Sequence, residues 1–190
     1  MQRVLTNDLW KAVVAQARRA RRKSAAIAYA TQDLLGLGKG DTLLVDSSLN
    51  AVRHGETSAK LLRTLHQKGV SLYECPRLHA KVVLLDDVAV IGSGNMSGSS
   101  VNALVEAGVI TDHSSTVAGV ASFIEQLIAQ SKELTAKDID HLCKIKVVRR
   151  GGFPIGGTSR RRPKVSRLGT RTWVVGIREL VKEHRQPNND

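Results

Sequence analysis

Aromatic side chains are scarce: two Phe, two Trp and two Tyr make up 3% of the 190 residues. Binders of single-stranded nucleic acid that stack bases on exposed rings need several such platforms, so this composition argues against that mode. Cysteine is nearly absent. Cys75 and Cys143 form no CxxC and no zinc-type cluster, and read as inert thiols of a reducing compartment. No apolar run approaches the roughly 18 to 20 residues that span a bilayer. The opening stretch to Ala30 is interrupted by charge throughout and lacks the apolar core of a signal peptide, so a cytoplasmic location is expected. Acidic residues are few, 17 Asp and Glu against 29 Lys and Arg, a net charge of +12. That excess favours a polyanionic partner, either nucleic acid or an acidic membrane surface. The six histidines make no HxxxH, no HExxH and no Cys/His set with zinc spacing. Neither a metal nor any other cofactor is therefore expected.

What is present is a globular pattern, with 42% hydrophobic and 24% charged residues. Apolar positions Leu9, Trp10, Val13, Val14 and Ala17 recur at helical spacing and predict a helix from about Leu9 to Lys23. Strands are expected over residues 25–30, 42–46, 70–75 and 105–111. Helices are expected over 58–68, stopped by Gly69, over 117–134, and over 136–143 with Thr135 as N-cap. Residues 78–85 and 88–91, joined by Asp86-Asp87, read as a hairpin. Composition shifts near residue 146. From Val147 onward there are eleven Lys and Arg against three Asp and Glu, among paired glycines and the run Arg160-Arg161-Arg162-Pro163-Lys164. The expected division is 1–146 as a catalytic domain and 147–190 as a small basic module, with a strand near 171–177. Arg149, Arg150, Arg160, Arg161, Arg162, Lys164, Arg167 and Arg171 are its candidate nucleic-acid contacts.

The stretch that points to chemistry is His79-Ala80-Lys81 with Asp86, followed by Gly92-Ser93-Gly94-Asn95. Alternation along a strand places His79 and Lys81 on one face, roughly 7 Å apart. Ser93 and Asn95 share parity on the return, so the four side chains can converge on one patch. The glycines between them let an anionic group approach. A neutral imidazole can attack phosphorus and split one difficult displacement into two easier ones. Lys, Ser and Asn can neutralise and hydrogen-bond the non-bridging oxygens. A second proton carrier is still needed for the leaving oxygen.

HxK(x)4D followed by GSxN resembles the signature of the phospholipase D superfamily, in the form of its single-motif nuclease-like members, over roughly residues 9 to 130. Gly55-Glu56-Thr57-Ser58 and the strand leading into Leu78-His79 resemble them too. The resemblance implies an α/β fold: a phospholipase D-like mixed β-sheet flanked by helices, here with a small basic C-terminal extension. It implies a nucleophilic His79, phosphate binding by Lys81 and Asn95 with Ser93 in support, and Glu106 as an acidic partner hydrogen-bonded to the histidine. Between Asp86 and GSxN the family often has six residues; here there are five. Asp86 completes the motif, but by parity it faces away from His79 and reads as a turn or scaffold residue. The implied function is a metal-independent endonuclease, a hydrolase of phosphodiester bonds with DNA favoured over RNA and no membrane partner. Because one chain carries one HxK, two chains are expected to share a site as a homodimer. The rival readings are a phosphodiesterase of phospholipid headgroups and a nucleic-acid-binding module whose site is idle.

Overall fold

The computed structural model describes residues 2–6 and 8–148. The eight candidate nucleic-acid contacts from Arg149 to Arg171, and the strand expected near 171–177, lie outside the described residues. Eight strands form one mixed sheet: β1 (Gln2–Leu5), β2 (Lys23–Ile27), β3 (Thr42–Val45), β4 (Ser71–Glu74), β5 (Lys81–Leu85), β6 (Val88–Gly92), β7 (Gly108–Thr111) and β8 (Lys132–Glu133). Their order across the sheet is β1-β7-β6-β5-β2-β3-β4-β8. The centre, β2-β3-β4, is parallel, and β5 lies antiparallel against β2. Six helices connect them: α1 (Leu9–Ala17), α2 (Leu49–Arg53), α3 (Ala59–Gln67), α4 (Gly98–Asn102), α5 (Ser114–Gln130) and α6 (Ala136–Cys143). This is the α/β fold of a mixed sheet flanked by helices.

Strand alternation divides the core cleanly in two. Ala25, Ile27, Leu43, Val45, Val83, Leu85 and Val90 face one side, where Leu9, Trp10 and Val13 of α1, Leu62 and Leu65 of α3, and Ile139 and Leu142 of α6 cover them. Ala26, Leu44, Val82 and Ala89 face the other side, under Val120 and Ile124 of α5. Central strands buried on both faces read as continuous apolar runs, which is how Leu43-Leu44-Val45 and Val82-Val83 appear in the sequence. Each fully buried leucine here contributes about 1.5–3 kcal/mol.

Polar residues fix where the helices begin. The side chains of Ser48, Ser58 and Ser97 accept from the backbone N–H groups of Ala51, Leu61 and Ser100. Thr135 and Asp138 form a reciprocal capping box at α6. The helix expected to run to Lys23 stops at Ala17. The N–H groups of Arg21 and Arg22 donate to Asp86, at 3.0 and 2.9 Å, and that of Lys23 to Asp41 at 2.8 Å, so none is left for a helical ladder. Helix α5 starts three residues earlier than its apolar period suggests and stops at Gln130; Leu134 enters the core from beyond the helix. At the other end, the Val148 N–H still donates to the Arg53 carbonyl at 2.7 Å, so packing of the described chain continues past residue 146.

Candidate active site

Strand direction gathers the motif. The carboxyl ends of β2 and β3, the start of β5 and the end of β6 all lie at one end of the sheet. Beyond β6 the chain is tied to the extension of β2. Met96 N–H donates to the Tyr29 carbonyl (3.1 Å), Thr31 N–H returns to the Met96 carbonyl (2.8 Å), and Ala30 bridges to Met96. The Tyr29 N–H donates to Asn95 Oδ1 at 3.3 Å. With its oxygen occupied in this way, the Asn95 side chain presents its NH₂ donors without a partner among the described residues.

His79 does not lie on the strand. β5 begins at Lys81, and residues 78–80 lead into it outside any strand. Sequence alternation therefore does not set the His79–Lys81 relation. The approach is set by Arg77, which takes a left-handed backbone (φ 66°) and whose N–H donates to Asp46 Oδ2 at 3.0 Å. The other carboxylate oxygen of Asp46 accepts from the Ser48 N–H at 2.9 Å. On either side of His79, the Leu78 side chain is buried and the Ala80 carbonyl accepts from the Ala28 N–H at 2.9 Å. The histidine is thus held by its neighbours, while its ring is exposed and has no hydrogen-bond partner among the described residues.

Lys81 lines a small recess with Leu9, Trp10, Val13, Gly92 and Gly94. Its ammonium folds back to donate to the His79 carbonyl at 2.7 Å. Burial in these apolar surroundings lowers the lysine's pKa, and the negative charge of Glu106 partly restores it.

Glu106 is almost fully buried and belongs to a network that crosses three segments of the chain. The Trp10 indole N–H donates to Ser100 Oγ at 2.9 Å, and Ser100 Oγ donates to Glu106 Oε1 at 2.6 Å. Ser93 Oγ donates to Glu106 Oε2 and also accepts the Ala107 N–H at 3.1 Å. Both carboxylate oxygens are therefore engaged by serines. The implied hydrogen bond from Glu106 to the histidine is not formed, and the Ser93 hydroxyl is turned inward to Glu106.

Asp86, which completes the motif, is in the structure the turn residue its parity suggests, and the motif glycines carry a packing role. Asp86 stands at the opposite end of β5 from the site, in the two-residue turn between Leu85 and Val88. It adopts φ 53°, a left-handed conformation that aspartate tolerates better than most residues. Its oxygens accept the Arg21 and Arg22 N–H groups, which lower its pKa. The structure thus separates Asp86 from the other motif residues by the length of the strand. The motif glycines, in turn, answer to packing. A Cβ on Gly94 would lie 2.8 Å from Trp10 Nε1 and 3.0 Å from Leu9 Cδ2, and one on Gly92 would lie 3.0 Å from the Ala107 carbonyl. They let α1 and β7 close on the loop. The Gly55–Ser58 segment is scaffold as well: Thr57 Oγ1 donates to the Asp46 carbonyl at 2.6 Å, and Ser58 caps α3.

The arrangement offers a free imidazole, a partly desolvated ammonium and an unpaired amide NH₂ at one open end of the sheet, suited to a phosphodiester. Sequence reasoning missed Trp10 and Ser100 as supports of Glu106, and Asp46 as the anchor of the approach to His79. Spacing along the chain carries no signal for these contacts between distant segments.

A mixed sheet of this order under two helical layers is the phosphodiesterase fold of the phospholipase D superfamily. The chain belongs to that superfamily's PLD-like domains: the family profile described as cardiolipin synthase, PLD-like domain, matches residues 10–128. Among solved structures it is similar to Nuc, a phospholipase D family member from Salmonella typhimurium, with a TM-score of 0.60 and 13% identity over 72% of this chain and 100% of that one. It is also similar to NucT from Helicobacter pylori, with a TM-score of 0.57 and 16% identity over 70% of this chain and 99% of that one. Phosphatidylserine synthase from Haemophilus influenzae Rd KW20 is a third, with a TM-score of 0.55 and 15% identity over 74% of this chain but 41% of that one. No curated protein sequence matches it. Among the described residues no helix is long and apolar enough to cross a membrane, and no group of three or more His, Cys, Asp or Glu could hold a metal ion.

Proposed function

We propose that this protein is a hydrolase of nucleic-acid phosphodiester bonds, an endonuclease acting on DNA ahead of RNA through a phosphohistidine. The observation that carries the reading is the His79 ring, exposed and unpaired, on a backbone pinned at Arg77, Leu78 and Ala80 beside the Lys81 ammonium. The ring nitrogen attacks phosphorus. A P–N bond forms as the P–O bond to the leaving strand breaks, and the leaving oxygen takes a proton. Water then cleaves the P–N bond, restoring the imidazole and leaving a phosphomonoester end. Lys81 and the Asn95 NH₂ stabilise the charge on the non-bridging oxygens. They supply what a metal supplies elsewhere, so turnover is expected to survive a chelator. The net charge of +12 supports a nucleic-acid substrate, and the two free cysteines fit a reducing, cytoplasmic setting.

The missing proton carrier is His79 of a second copy, brought to the far side of the same phosphorus by a two-fold axis. Val101 in α4, with Leu104 and Val105 on the connection from α4 to β7, is exposed and gives that face apolar surface to bury. The same three residues favour a second reading, a phospholipid headgroup diester as substrate. Incubating the protein with plasmid DNA, RNA and phosphatidylcholine vesicles decides between them: cleavage of the vesicle lipid alone would overturn the nuclease reading. Wild-type and His79→Ala chains refolded together in equal amounts test the shared site. About a quarter of the wild-type activity remains if only wild-type pairs work, and about half if each chain works alone.

A further inference from the structure

The sequence carries a second basic concentration that the active site does not use: Arg18, Arg19, Arg21 and Arg22. All four are exposed, and none forms an ion pair with a carboxylate among the described residues. Lys23, next in line, differs: it is half-buried and paired with Asp41 at 3.5 Å. The four arginines occupy the turn between α1 and β2, at the end of β2 opposite to the site. Lys23 at the start of β2 lies across from Leu85, whereas Ile27 at its end lies across from Lys81. At about 3.3 Å per residue the strand alone separates the two ends by roughly 13 Å.

This turn is held in place. Both oxygens of Asp86 accept its N–H groups, and the Asp86 N–H donates back to the Arg22 carbonyl at 3.0 Å. Asp86 therefore binds the backbone of the arginine segment and leaves the guanidinium groups to solvent. Against four arginines the adjoining hairpin sets only Asp86 and Asp87. We propose that Arg18, Arg19, Arg21 and Arg22 form a second polyanion-binding surface, remote from the catalytic end, that holds the phosphate backbone of a duplex several base pairs from the bond being cut. The proposal rests on the nucleic-acid reading of the site. Guanidinium groups make bidentate bonds to phosphate, and four on one short turn match the repeat of a phosphate backbone better than a single anion. An anionic membrane is disfavoured because the large apolar residues of the neighbouring helix, Leu9, Trp10 and Val13, are buried in the core, and only Ala12, Val14 and Ala15 are left partly or fully exposed. The turn thus has no apolar face to insert into a bilayer. At about 3.4 Å per base pair, the strand-length separation puts this contact some four or more base pairs from the reactive phosphate.

The test is duplex binding by fluorescence anisotropy across a salt series, using the full chain with His79→Ala so that the DNA stays intact. In that background R18Q/R19Q/R21Q/R22Q is expected to reduce the slope of log K against log salt by roughly three to four, and the matching Arg→Lys variant to retain most of it. Glutamine keeps the backbone N–H groups that Asp86 holds. If the quadruple variant fails to fold by thermal melting, R18Q/R19Q, which leaves the Asp86-bonded residues untouched, takes its place, with about half that reduction expected. A slope unchanged by these variants, in a parent that binds duplex, overturns the surface and leaves the nucleic-acid reading standing. A parent that binds phosphatidylglycerol vesicles through these arginines and binds no duplex overturns both.

Discussion

The most exacting consequence of the structure concerns Ser100, a buried residue behind the site. Its hydroxyl accepts from Trp10 and donates to Glu106, and all three side chains are buried. Ser100→Ala removes a hydrogen bond to a charged group, about 1.5–3 kcal/mol, and strands the indole N–H without an acceptor, about 1–3 kcal/mol more. Partial relaxation brings the expected loss to about 3 kcal/mol, a large fraction of the stability of a domain this size. Trp10→Phe removes the donor and some ring volume and is expected to cost about 2 kcal/mol. The two losses should not add. Once Ser100 is alanine, Trp10→Phe no longer breaks a bond and instead relieves a stranded donor. The double variant is therefore expected to be more stable than the sum of the singles predicts, by about 1–2 kcal/mol. Urea unfolding of the four proteins, with a common slope checked across them, measures this. Additivity within about 0.5 kcal/mol would refute the network. So would a Ser100→Ala loss below about 1 kcal/mol.

Other outcomes follow from the same geometry. Gly94→Ala places a methyl group 2.8 Å from Trp10 Nε1 and is expected to cost about 1–3 kcal/mol, read as a lowered midpoint in thermal melting. Asp86 has a depressed pKa in the fold, so its ionised form stabilises the protein above the ordinary carboxylate range near 3.9, and that contribution is lost as pH falls through its lower folded value. Asp86→Asn is accordingly expected to be less stable than wild type at pH 7, with the gap closing in acid; a pH-independent gap would show that charge plays no part. Lys81 loses its proton at a lower pH than an ordinary lysine, so KM for a diester should rise on the alkaline side earlier than free lysine titrates. Lys81→Arg should move that limb out of the measurable range, since guanidinium stays charged.

How much of this is legible in the sequence depends on whether a feature is local. His79, Lys81 and Asn95 lie within seventeen consecutive residues, and strand pairing of adjacent segments brings them to one end of the sheet. Helix α6 is readable because Thr135 opens it and its apolar residues keep the period. The short helices α2 and α4, of five residues each, are less than two turns and leave no periodic signal. The end of α1 is hidden because helical propensity continues through the arginines; what stops the helix is Asp86, some sixty residues on. Glu106 can be located at its strand, but its partners cannot. Its bonds to Ser93 and Ser100 belong to a region where α1 presses on the loop, with Gly94 and Gly108 leaving room for Leu9 and Trp10, and such tertiary packing leaves no local signal.

Strand β1 carries a consequence for how the chain acquires its shape. Gln2 pairs with Thr111 and Leu5 with Gly108, so among the described residues β1 has no partner in the sheet until β7 exists. During synthesis the residues of β1 emerge roughly a hundred positions ahead of the strand that receives them, and the intervening segments can pair among themselves in the meantime. Contacts of such long sequence separation form late and slowly, because the entropy of closing the loop is lost before the pairing compensates it. Leu5 is nevertheless among the most buried residues in the protein, beside Leu9 and Trp10 on the same core face. Docking of β1 thus completes the core face on which Trp10, the donor to the Ser100–Glu106 pair, is packed. A partly made chain can possess His79, Lys81 and Asn95 and still lack the completed core face under Trp10 and the Glu106 network.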